Sequence, residues 1–73
     1  MQLIDDVADR VAIEVLKLVD ETGNLDIVED VKKVIGTSSQ TLEEAYMTAI
    51  RVRRAEARAM ELIGTLRAQN GGA

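Results

Sequence analysis

TLEEAYMTAIRVRRAEARAMELIGTLRAQ, residues 41–69, reads as one long helix, and the rest of the chain is arranged around it. Thr41 and Glu44 stand at capping-box spacing, in which a hydroxyl and a carboxylate satisfy amides left free at a helix start; Ser38 and Ser39 are alternative caps. At ~1.5 Å per residue the stretch is ~44 Å long. Projected at ~100° per residue, Leu42, Ala45, Tyr46, Ala49 and Val52 fall on one side, and Met60 and Ile63 follow on the same side. Arg53 and Glu56 lie between the two patches. An ion pair facing a core costs desolvation but can fix register or partner choice, so this pattern predicts a seam. The first half of the helix is expected to pack on the rest of the chain, the second half on another molecule.

Ahead of this helix, the run Gly36-Thr37-Ser38-Ser39-Gln40 marks a break. Before the break, Ile27, Val28, Val31, Val34 and Ile35 recur at steps of three and four, which predicts a second helix over about Leu25–Ile35. Asn24 can cap it, Gly36 is expected to end it, and Glu29 with Lys33 forms a surface pair at a spacing of four. The β-branched content would also suit a strand, but the period and the flanking caps favour helix. A first helix is predicted over about Leu3–Thr22 from Ile4, Val7, Ala8, Val11, Val15, Leu18 and Val19. Asp5, Asp6 and Asp9 complement the dipole at its start, and Gly23 is its natural stop.

The first helix is ~30 Å long, so in an up-down-up arrangement the end of the third must overhang its neighbours. That overhang carries Met60, Leu62, Ile63 and Leu66, each forgoing about 1.5 to 3 kcal/mol if left in water. The expected fold is therefore all-α. It is a three-helix bundle with a long third helix, one domain over residues 1–69, completed by homodimerisation through the second half of that helix. Residues 70–73 are expected to fray.

Composition points the same way. At 73 residues, a single core supplies only about 3 to 5 kcal/mol, so a further source of stability is expected. The chain has no Cys and no His, which removes disulfides and the usual zinc ligands and leaves oligomerisation. No apolar run approaches the ~18 residues that cross a bilayer, and the first turn carries two acids where a signal peptide has bases. A cytoplasmic location is the expectation. Catalysis by His or Cys is impossible, no Ser or Thr stands with a Lys in a known nucleophile motif, and Asp5 with Asp9 and Asp26 with Asp30 lie on solvated helix faces. A carboxylate di-metal bundle adds a Glu-x-x-His motif that is missing here, as are phosphate loops, dinucleotide fingerprints and calcium loops. No enzyme activity, metal or cofactor is expected.

Charge is uneven along the chain. Net charge is −4; residues 1–35 hold nine acids against four bases, and residues 36–73 hold four acids against five arginines. Arg51, Arg54 and Arg58 share a helix face with Arg53 nearby, a candidate contact for phosphate or for an acidic partner surface. Ile13 and Leu16, on the otherwise polar side of the first helix, suggest a second apolar contact. The segment Asp30–Tyr46 resembles a helix-turn-helix, with Val31, Ile35, Gly36, Ser38, Leu42 and Ala45 at suitable places, although Lys32 departs from the pattern. Glu43 and Glu44 on the would-be reading helix repel phosphates. The expected function is that of a small non-enzymatic regulator, inhibitor or adaptor that binds another protein through Met60, Leu62, Ile63, Leu66, Ile13 and Leu16. A dimeric DNA-binding regulator is the alternative.

Overall fold

The computed structural model describes Gln2–Asn70, and those residues form three helices without a strand: α1 (Leu3–Thr22), α2 (Asp26–Ser38) and α3 (Gln40–Asn70). Asp5 and Asp6 occupy the first turn of α1, where they face the positive end of its dipole. The helix stops at Gly23, whose φ of 72° lies in the left-handed region and whose amide donates to the Val19 carbonyl at 2.7 Å. α2 starts one residue later than expected, with Leu25 at the N-cap and no cap bond from its side chain, while Asn24 Oδ1 accepts the Asp26 amide at 3.0 Å from just outside the helix.

The α2–α3 junction differs from expectation. α2 does not end at Gly36 but runs on to Ser38. A helix tolerates a glycine at a cost of about 1 kcal/mol, and here the missing side chain leaves room for a neighbour. A Cβ on Gly36 would meet the Glu43 carboxylate of α3. A single extended residue, Ser39, then separates the helices. Its Oγ accepts the Leu42 amide at 3.0 Å and its carbonyl accepts the Glu43 amide at 3.0 Å. Ser39 is thus the cap among the candidates, and Thr41 lies inside the helix.

The core consists of Ala8, Ala12 and Val15 from α1, Val28 from α2, and Tyr46 and Ile50 from α3. Tyr46 and Ile50 are its largest fully buried side chains, and α1 lies against them through alanines, small enough for the two helices to approach closely. The Tyr46 hydroxyl donates to the Val28 carbonyl at 2.9 Å and so ties α3 to α2. The buried stripe of α1 is rotated from the expected one. Ala12 is fully buried and Leu16 packs on the core, whereas Ile4 and Leu18 lie at the exposed rim. Val34, expected on the inner face of α2, is exposed too.

Two layers result, with α1 and α2 on the first half of α3, in a body measuring 53 × 31 × 13 Å. Thirty-one residues of α3 are ~46 Å long, more than α1 and α2 can cover. Every described residue of α3 from Ala55 onward is exposed. No helix among the described residues is long and apolar enough to cross a membrane. Asn70 is the last residue of α3, and the fraying expected of residues 71–73 lies outside the described residues.

Candidate protein interface on the third helix

The boundary between the packed and the free half of α3 is made by one side chain. Arg53 donates from Nε to Asp9 Oδ1 at 2.7 Å, from Nη2 to Asp9 Oδ2 at 2.5 Å and from Nη1 to Glu56 Oε1 at 2.9 Å. The fork of the guanidinium matches the carboxylate, so the pair fixes direction as well as distance. These hydrogen bonds hold the Asp9 carboxyl below the usual carboxylate range and raise the Arg53 guanidinium further above its ordinary value. Both side chains remain a third or more exposed, so the tie sets where α1 and α3 align more than it adds stability. Sequence spacing marked Arg53 and Glu56. It missed Asp9, which near a helix start has a sufficient local reason to be acidic; only α3, forty-four residues away, shows the second one.

Past this tie lie the four apolar residues singled out in the sequence. Met60, Leu62, Ile63 and Leu66 are 59, 57, 42 and 47% exposed. They do not form one patch. At ~100° per residue, Met60 continues the side that holds Tyr46, Ile50 and Arg53, accompanied there by Ala57, Gly64 and Ala68. Leu62 and Leu66 point to the opposite side, away from the chain's own core, and Ile63 lies between.

The remaining candidates are sorted by their surroundings. Ile13 and Leu16 are half-buried instead of lying on a polar face, and they border an open recess of about 350 Å³ together with Lys17, Asp20, Arg53 and Glu56. The structure thus brings them to the Arg53 tie and leaves them apart from Leu62 and Leu66. Arg54 is half-buried beside Leu16, Val19 and Leu25, while Arg51 and Arg58 are exposed. Of the four arginines grouped by sequence, Arg53 is already engaged by two carboxylates.

A second apolar feature, not expected from the sequence, is an open groove of about 320 Å³ between α1 and α2, lined by Val11, Val15, Leu18, Ile27 and Val31 and edged by Arg10 and Glu14. Its signal was the width of the apolar arc on α1, too broad for one neighbour.

The segment resembling a helix-turn-helix has one residue between its helices where that motif has a turn of three or four. Tyr46, early in the would-be reading helix, is buried in the core. Lys32 lies 3.5 Å from Glu29 and 3.9 Å from Glu43, so the expected Glu29–Lys33 pair is replaced by a contact linking α2 to α3. Among the described residues no group of three or more acids is placed to hold a metal. Compared with family models, curated proteins and solved structures, the chain matches none, and its geometry alone carries the functional reading.

Proposed function

We propose that this chain is a small non-enzymatic adaptor or regulator, cytoplasmic in location, that works by burying helix surface against another protein, with the free half of α3 as its binding element and a homodimer as its working form. The observation that carries this reading is the exposure of Met60, Leu62, Ile63 and Leu66 on a helix that projects beyond its own core. Large apolar side chains exposed along a projecting helix are what helix-in-groove and helix-pair recognition use. Scattered single apolar residues need no such account, but four within seven positions of one helix do.

Sedimentation equilibrium tests it. The wild-type chain is expected to run at twice its own mass, and Ile63→Asp or Leu66→Asp is expected to run as a monomer with a lower melting temperature, because each forces a charge into an apolar contact. Wild-type-like mass for both variants counts decisively against this surface.

A further inference from the structure

Resting on the reading of α3 as the binding element, we infer that its partner is a second copy of this chain, seated in parallel along a seven-residue repeat on the outer face of α3. Between Thr48 and Gln69 the residues Val52, Ala55, Ala59, Leu62 and Leu66 follow one another at alternating steps of three and four. All five are exposed. A spacing of 3.5 residues is the period at which two helices wind around each other with their contact residues kept facing. The stripe lies opposite Ile50 and Ala57, on the side turned from the chain's own body, and it begins alongside that body before continuing along the free rod. Two copies joined here hold their α1–α2 layers on opposite outer sides, so the bodies do not compete for space.

The charges flanking the stripe select both the partner and its direction. In a parallel pair, the residue just before one repeat reaches the residue five positions on in the other helix. That sets Arg51, which is exposed, against Glu56 of the second copy, twice by symmetry. Glu56 already accepts from Arg53, and a carboxylate can accept from a second guanidinium. The next flanking position sets Arg58 over Ile63, where the aliphatic stem of the arginine covers an apolar residue. In the antiparallel register that pairs Val52 with Leu62, Arg58 meets Arg58 and Glu56 meets Glu56, and like charges oppose the contact; in the register that pairs Ala55 with Leu66, Arg58 meets Thr65 and Glu56 meets Ile63, and the Arg51–Glu56 attraction is lost. Ala55 and Ala59 at the middle of the stripe let the two backbones come close, and Leu62 and Leu66 fill the space beyond.

Because the chain has no cysteine, single-cysteine variants of the full chain report the geometry directly. In a parallel pair two copies of position 62 face each other within disulfide reach, so Leu62→Cys is expected to convert to a covalent dimer under mild oxidation. Ala57→Cys, on the side of each helix turned from the seam, is expected to stay uncrosslinked. Arg51→Glu is expected to weaken the dimer about tenfold by turning two attractions into repulsions, and adding Glu56→Arg is expected to restore it. The inference is overturned if Leu62→Cys does not crosslink or if Ala57→Cys crosslinks as readily. If that happens while the wild type is a dimer that Leu66→Asp dissociates, the seam and its direction are wrong and α3 remains the binding element. A wild type that sediments as a monomer at every concentration removes the second copy as partner altogether.

Discussion

Replacing Tyr46 separates the two ways in which α3 is held to the rest of the chain. Its ring is fully buried between α1 and α2, and its hydroxyl donates to the Val28 carbonyl at 2.9 Å. Tyr46→Phe keeps the ring and removes one hydrogen bond, worth about 0.5 to 1.5 kcal/mol net. The Val28 carbonyl lies inside α2 and retains its helical partner, so the lower half of that range applies, a fall in melting temperature of roughly 3 to 6 °C for a domain of this size. Tyr46→Ala removes the ring as well, and emptying a fully buried aromatic site costs about 3 to 5 kcal/mol. That equals the whole stability expected of a core this small, about 3 to 5 kcal/mol. The alanine variant is therefore expected to be unfolded at room temperature, and thermal melts followed by circular dichroism read both changes. A cooperative melt of Tyr46→Ala within a few degrees of wild type would refute this view of the core. Burial also raises the phenol above its ordinary pKa. A raised pKa contributes stability that is complete below about pH 10 and is lost as pH climbs through the folded-state value, so wild type is expected to lose stability in alkali where Tyr46→Phe does not.

Two further outcomes follow from named contacts. The Asp9 carboxyl is lowered by its hydrogen bonds to Arg53, so its contribution is present above about pH 4 and fades as pH falls through the lower folded-state value. Acid titration of melting temperature should show a component in that window that Asp9→Asn abolishes; an unchanged acid profile in the variant would remove the tie from the account. Gly23→Ala places a side chain at φ 72° and should destabilise by about 1 to 2 kcal/mol. Gly36→Ala meets only the movable end of Glu43 and gains up to about 1 kcal/mol of helix propensity, so denaturant melts should shift in opposite directions for the two glycines.

Sequence spacing showed the three helices and the overhang because both depend on properties local to the chain. The stop at Gly23 is a conformational requirement of one residue, and the length of the third helix follows from the absence of a breaker. What was not legible depends on which neighbour arrives. Periodicity on α1 weights large apolar residues and so pointed toward Ile4 and Leu18, yet the helix that packs there is admitted by Ala8 and Ala12, whose value is smallness. Gly36 reads as a stop until Glu43 is seen beside it. Asp9 has a sufficient local explanation at the start of α1, and only the fold reveals Arg53 across from it. On α3 the projection grouped Met60 with Ile63, since two apolar stripes on one helix blur together until the core shows which side is already in use. That knowledge is what separates Leu62 and Leu66 from Met60.

The small core and the free rod are two aspects of one distribution of apolar residues. Six residues make the buried core, two of them alanine, while Val52, Met60, Leu62, Ile63 and Leu66 remain in water on a single helix. A chain seeking only monomer stability would shorten α3 soon after Ala57, the last residue that borders α1, because the residues beyond it are all exposed and still lose conformational freedom. The proposed pairing accounts for Leu62 and Leu66, which the chain's own fold leaves in solvent. Association through them adds stability in proportion to the logarithm of partner concentration over its dissociation constant. For a chain whose own core supplies a few kcal/mol, that addition is comparable with the core itself. Under the proposed pairing the melting temperature therefore rises with chain concentration, and a melting temperature independent of concentration would refute the pairing.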